Sequence, residues 1–278
     1  MHSKNKAQGS LEYLLLIGGS VLIAAIVIIS VTYLFSSENS NTSKTVYQSS
    51  YSCLAAQTDS SLIGYWQFEG NLNDCSLYGH DGTASTTSAF EEGVIGKAIS
   101  LDNATADYVD FGNINLTGDQ LTVEFWVNAI DNSGLGEGDN FAPILIDWMN
   151  GSSNGTLLCY IKSNPGWSAG NNFDTNSILC TYDSGSSLND LGTVFTDWYD
   201  EWHHVAFVLD GTDFSVYVDG VLDNSKSTFI NPISPDNEIF ALSKRDWTYG
   251  VPFHGYIDEL RIYDRALDQP EIQEHALN

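Results

Sequence analysis

Positive charge is scarce in this chain. Its 278 residues hold 10 Lys and Arg against 36 Asp and Glu, for a net charge of −26. Such a surface repels phosphate backbones and anionic lipid headgroups, which argues against nucleic acid as a partner. Self-repulsion on this scale destabilises a compact state unless something screens it. Strong salt would do so, and so would cations held among the carboxylates; the sequence leaves both open. Paired C-x-x-C motifs are absent, which argues against a zinc site. Internal repeats are absent too. Residues 13–35 carry no charge at all.

The uncharged run is about 23 residues, or roughly 35 Å of helix, enough to cross a bilayer. Lys4 and Lys6 precede it and favour a cytoplasmic N-terminus, which puts the remainder outside. An exported location suits the four cysteines, Cys53, Cys75, Cys159 and Cys180. Four cysteines allow three pairings. The nearest-neighbour one, Cys53–Cys75 and Cys159–Cys180, is the expectation. The second pair lies in "TLLCYIKS" and "SILCTYDS", two strand-like runs that can form a hairpin. N-x-[ST] sequons at Asn41, Asn103, Asn115, Asn150 and Asn154 are candidate glycosylation sites in an exported domain.

An ordinary secretory signal has a shorter apolar core and a small-residue cleavage site. This segment is too long, and "SVTYLFSSENS" offers no such site. A single-pass anchor leaves Glu12, at the lip of the apolar run, without a role beyond complementing the helix dipole after a Ser10 cap. The order "KNKAQGSLEYLLL" resembles the class III signal peptides of archaeal type IV pilins: basic leader, small residue, Gln, small polar residue, Glu-Tyr, apolar helix. The resemblance implies cleavage between Ala7 and Gln8 by a prepilin peptidase, with the helix retained. Ala7 departs from the Gly common before the cut. The resemblance further implies that Glu12 pairs with the freed amine of a neighbouring subunit as the helices self-assemble into a filament. Gly18, Gly19, Ser20, Ala24 and Ala25 would let those helices approach closely.

Residues 36–61 are rich in Ser, Thr, Asn and Gln and read as an exposed linker. From residue 62 the pattern becomes β. "LTVEFWVNAI" alternates Leu121, Val123, Phe125, Val127 and Ala129 against Thr122, Glu124, Trp126 and Asn128. "HHVAFVLDGTDFSVYVDGV" reads as strands joined at Asp210-Gly211-Thr212 and turning again at Asp219-Gly220. "IGYWQF", "KAISLDN", "DYVDFG", "PILIDWM", "EIFALS" and "GYIDELRIY" are further short strands. "LDQPEIQEHAL" reads as a short helix capped by Asp268. Many short strands with Gly, Asn and Asp turns predict a mainly β sandwich or jelly roll.

The β region resembles the LamG-like jelly-roll, or concanavalin A-like, family over residues 62–276. Its landmarks come in order: "GYWQFEGNLNDCSLYGHDGT", "GKAISLDNATADYVDFGN", "LTVEFWV", "EWHHVAFVLDGTDFSVYVDGVL" and "GYIDELRIYDRALDQPEIQEH". The expected organisation is a cleaved leader at 1–7, a pilin or transmembrane helix at 8–35, a linker at 36–61 and a jelly roll at 62–278. Residues 132–193 depart from the family and are the expected seat of specificity. The resemblance implies a structural Ca²⁺ held by Glu69 and Asp258, with Asn71 and Asp74 as helpers; oxygen donors suit that ion.

Glucanases of this fold place two carboxylates on one strand face by an E-x-D-x-E pattern. No such run occurs; Glu137 and Asp139 come nearest, between glycines. No Ser or Cys nucleophile has a suggestive neighbour, so no enzyme is expected. Trp66, Trp126 and Trp202 occupy family strand positions and are expected in the core. Trp148, Trp167, Trp198 and Trp247 fall in less regular stretches and are candidate sugar-stacking residues. The expected function is a surface filament subunit whose head adheres to glycans. The alternatives are a membrane-tethered monomeric lectin and a surface glycosidase.

Overall fold

A computed structural model describes residues 52–102, 107–114, 116–130, 141–148, 157–162, 177–183, 188–227, 239–243 and 253–277. All belong to the compact unit Ser49–Asn278; the other unit, Met1–Gln48, lies outside the described residues. Among the described residues no helix is long and apolar enough to cross a membrane. The apolar run at 13–35 is outside that set.

Fifteen strands follow one another. They are β1 (Leu62–Trp66), β2 (Thr83–Ala84), β3 (Ala89–Glu92), β4 (Lys97–Leu101), β5 (Val109–Asp110), β6 (Gln120–Ala129), β7 (Phe141–Trp148) and β8 (Leu157–Lys162). Then come β9 (Ile178–Asp183), β10 (Leu188–Gly192), β11 (His203–Asp210), β12 (Asp213–Val218), β13 (Val221–Ser227), β14 (Ile239–Leu242) and β15 (Gly255–Tyr263), before helix α1 (Gln269–Leu277). One sheet runs β13-β12-β11-β6-β15-β4-β3, with β1 added to β15; the other runs β10-β9-β8-β7-β14-β5-β2. The expected mainly β jelly roll is thus the observed one. The sequence pattern missed β2, β3 and β10, which are short or carry little alternation.

The main core lies between the sheets. Leu121, Val123, Phe125, Val127 and Ala129 of β6 all point into it, as the alternation predicts, and meet Ile144, Cys159, Ile178 and Phe240 of the other sheet. Trp66 is fully buried, its ring 4.2 Å from that of Phe111. Trp126 and Trp202 are only half-buried, so the expectation of core positions holds for Trp66 alone. They lie on the opposite face of their sheet, where β6 residues of even number emerge. The turn between β12 and β13 has Asp219 at φ 50° and Gly220 at φ 75°. Two positive φ values are what a two-residue hairpin turn requires, hence the Asp-Gly pair.

A second, smaller core covers the outer face of the first sheet. Ala56, Leu62, Tyr65, Ala206, Val208, Tyr263, Leu267 and Ile272 form it. Two pieces close it: α1, and a helical turn at 52–56. The Cys53–Cys75 disulfide fastens that turn, so residues 52–61, read as the end of the linker, belong to the folded unit. The other disulfide, Cys159–Cys180, joins directly opposed residues of β8 and β9. Both pairings are the nearest-neighbour ones.

A bulge in β15 decides which side chains reach the second core. The register against β6 slips between Asp258 and Arg261, and Glu259 takes φ 51°. Such an extra residue exchanges the faces of a strand. Ile257 points into the main core before the bulge and Leu260 and Ile262 do so after it. Arg261 therefore lies over the ring of Tyr65, 4.4 Å from its centroid, on the α1 side.

Candidate ligand-binding cleft

The opening loop is organised by one carboxylate. Asp74 Oδ1 accepts the N–H groups of Tyr65 and Ser76, and Oδ2 accepts the Ser76 hydroxyl and the His80 N–H. The indole Nε1 of Trp66 donates to the His80 carbonyl at 2.8 Å. The loop is thereby tied to the core, and it delivers the chain into β2. Strand β2 pairs with β5 in the register Thr83↔Asp110 and Ala84↔Val109.

Between the loop and β5 lies an open cleft of about 530 Å³. His80, Asp81, Thr83, Tyr108, Asp110 and Asn113 are among its lining residues. The Asp110 carboxylate accepts the Gly112 N–H at 2.8 Å, an Asx turn that fixes the far wall. The Asp81 carboxylate accepts the Asp74 N–H at 2.8 Å. Sequence reading did not select these residues. A signal existed: in "DYVDFG" the period of two puts Tyr108 and Asp110 opposite buried Val109.

The expected calcium ligands divide into two kinds. Asp258 is buried; its Oδ2 accepts the N–H groups of Val94 and Ile95, and its Oδ1 accepts that of Glu259. Gly93 is required beside it, since a Cβ there would come within 2.5 Å of Asp258 Oδ2. Glu69 Oε2 accepts the Lys97 N–H at 3.3 Å, while its Oε1 is buried and has no hydrogen-bond partner. Both carboxylates thus bond the one turn at 93–97. Burial first, and then the neighbouring Glu259, hold the Asp258 carboxyl well above the usual range. Burial also raises the Glu69 carboxyl. An orphaned carboxylate oxygen and a second buried carboxylate at one turn suit a hard cation. Asn71 and Asp74 do not belong to that arrangement. Asn71 Oδ1 accepts the Asn73 N–H, and both Asp74 oxygens are filled by their own loop. Among the described residues no three Asp, Glu, His or Cys side chains converge on one point, so a cation there needs carbonyl or water oxygens as well.

The tryptophans divide similarly. Trp198 is fully buried, packed edge-on against Phe195 at 4.7 Å, so its ring is a core element and not a sugar platform. Trp148 ends β7. Trp167 and Trp247 lie outside the described residues, as do Ala7, Gln8, Glu12, the five sequon asparagines, and Glu137 and Asp139.

Behind the first sheet, α1 covers a buried polar network. Glu124 has no exposed surface; Arg261 Nη1 lies 3.7 Å and His204 Nε2 3.6 Å from its carboxylate. Glu259 Oε2 accepts the Tyr65 hydroxyl at 2.5 Å and pairs with Arg261. Burial opposes the Glu124 charge, but His275, His204 and Arg261 together hold its carboxyl below the usual range. The groups lie against one another under a helix, but both Glu124 oxygens, both His204 ring nitrogens and Glu259 Oε1 make no hydrogen bond.

Residues 5–30 match the class III signal peptide family. Residues 103–273 match the family described as the Concanavalin A-like lectin/glucanases superfamily. Among solved structures, the chain is similar to domain 4 of AbnA, a GH43 extracellular arabinanase from Geobacillus stearothermophilus, in complex with arabinotriose. That likeness has 25% identity and a TM-score of 0.61, covering 78% of this chain and 98% of that one. It is also similar to the binding domain of Paraclostridial Mosquitocidal Protein 1, with 16% identity, a TM-score of 0.60 and coverage of 78% and 52%. The botulinum neurotoxin serotype G binding domain gives 16% identity and a TM-score of 0.57, with coverage of 78% and 50%. The chain thus spans about half of each toxin domain, and those two likenesses speak for the fold alone. No curated protein sequence matches the chain. With the two-sheet jelly roll and a family match over most of its length, the chain belongs to the concanavalin A-like lectin/glucanases superfamily, and it carries a class III signal peptide.

Proposed function

We propose that this protein is a subunit of a type IV pilus-like surface filament whose jelly-roll head adheres to glycans. The observation that carries the proposal is the union, in one chain, of a class III signal peptide at 5–30 and a concanavalin A-like domain at 103–273. A prepilin peptidase cuts between Ala7 and Gln8 and leaves the apolar helix in place. Glu12 then meets the freed amine of a neighbouring subunit, which neutralises both charges as the helices pack. The head is exported and acts as a binding module rather than an enzyme. The complex of AbnA domain 4 with arabinotriose supports a glycan as the ligand class. Ca²⁺ at Glu69 and Asp258 is part of the proposal, as a structural ion that neutralises one buried and one half-buried carboxylate. The net charge of −26 favours a high-salt habitat.

The test is made in cells. The mature protein should begin at Gln8, and Glu12→Ala should abolish filaments while leaving the head on the cell surface. Filaments that persist in Glu12→Ala, or an unprocessed N-terminus, would overturn the assembly half. A membrane-tethered monomeric lectin would display the head and form no filament even as the wild type. A hydrolysis assay on any glycan bound addresses the glycosidase alternative.

A further inference from the structure

Resting on the glycan-binding reading, we infer that the cleft between residues 79–85 and 108–113 is the head's sugar site and takes neutral oligosaccharides. Its volume of about 530 Å³ suits a few sugar rings. Its walls are held before any ligand arrives. His80 is pinned through its N–H to Asp74 and through its carbonyl to Trp66, and Asp110 is pinned by Gly112. Rigid walls lower the entropy lost on binding.

The charge of the cleft selects the ligand. Asp81 and Asp110 each spend one oxygen on a backbone N–H, and the second oxygen of each takes no hydrogen bond from a described residue. A carboxylate oxygen accepts strongly from sugar hydroxyls. No Lys or Arg is among the described lining residues, so the described walls offer an anionic ligand no balancing cation. Uronic acids and sulfated sugars are therefore rejected by repulsion, in addition to the chain's overall negative charge.

His80, a lining residue, carries an aromatic neighbour beside the cleft. The His80 ring stacks on Tyr78 with centroids 6.3 Å apart and planes 9° from parallel. Tyr78 is 50% exposed, and its hydroxyl donates to the Ser60 carbonyl at 2.8 Å, which holds that ring in place. A sugar's C–H face packs on such rings while its hydroxyls turn to the carboxylates.

The experiment uses the full-length protein in lauryldimethylamine oxide, a detergent without a sugar headgroup. Neutral trisaccharides of glucose, galactose, mannose, xylose and arabinose are titrated calorimetrically, with trigalacturonate as the anionic counterpart. At least one neutral trisaccharide should bind and trigalacturonate should not. Thr83→Trp, which adds bulk at an exposed strand position, and Asp110→Asn, which keeps an acceptor for Gly112, should each weaken binding at least tenfold with unchanged melting temperature. If a neutral sugar binds and neither folded variant weakens it, the cleft is the wrong place and the glycan reading survives. Tighter binding of trigalacturonate overturns the ligand class. If no sugar binds the wild type, the glycan reading fails together with the site.

Discussion

His275 of α1 places Nδ1 2.7 Å from Oε1 of Glu124, a carboxylate with no exposed surface in the middle of a sheet. This contact joins the last helix to β6. Removing His275 takes a polar neighbour from a fully buried carboxylate. Arg261 stays 3.7 Å away, so the loss is moderated. His275→Ala should therefore destabilise the domain by about 2 kcal/mol, read by denaturant unfolding. A loss below a few tenths of a kcal/mol would mean that α1 is held by Ile272 and its apolar neighbours alone.

The same network predicts acid sensitivity. Burial pushes the His204 imidazole down to about 4 from 6.5, against the pull of Glu124. Between those values the unfolded chain binds the proton and the folded one does not. Stability is therefore complete above pH 6.5 and falls as pH drops towards 4, by about 3 kcal/mol in all. The lowered Glu124 carboxyl adds a further loss at still lower pH. His204→Gln should flatten the melting-temperature profile across that window. An unchanged slope would place the proton elsewhere.

Cys53 and Cys75 are 22 residues apart, and the bond ties the helical turn at 52–56 to the opening loop. A closed loop of this length stabilises by about 3 kcal/mol through the unfolded chain. The double variant Cys53→Ser, Cys75→Ser should show that loss in urea unfolding. Its second core should also open, seen as faster hydrogen exchange at Leu62 and Tyr263.

Glu69 and Asp258 run the other way in pH. Their carboxyls are raised in the folded state, so their ionisation costs stability as pH rises. A bound Ca²⁺ would cancel that cost only where they are ionised. Chelation with EDTA should lower the melting temperature at pH 7.5 and leave it unchanged at pH 4. Glu69→Gln should remove the chelator response. A wild type indifferent to EDTA at pH 7.5 would sink the calcium proposal.

Much of the fold was legible because strands write a period of two. Residues 120–129 alternate cleanly, and the structure keeps that alternation. Asp219-Gly220 announced its turn. The β15 bulge was not legible. Counting by twos through "GYIDELRIY" puts Ile257 and Arg261 on one face, yet the positive φ at Glu259 moves them to opposite ones. The calcium reading met the same limit: the family resemblance implied Asp74 as a helper, but its oxygens accept from backbone N–H groups and the Ser76 hydroxyl.

Sequence by itself determined the class of the domain and the signal ahead of it, while the choice among three disulfide pairings fell to the structure. Class and signal rest on local order, composition and short spacing, which need no knowledge of neighbours far along the chain. Only the tertiary structure decided that Glu124, an outward residue of β6, is buried, that Trp198 belongs to the core, and that His80, Tyr108 and Asp110 share a cleft. Burial depends on what covers a face, and α1 covers Glu124 from about 150 residues away in a chain whose contacts are largely non-local.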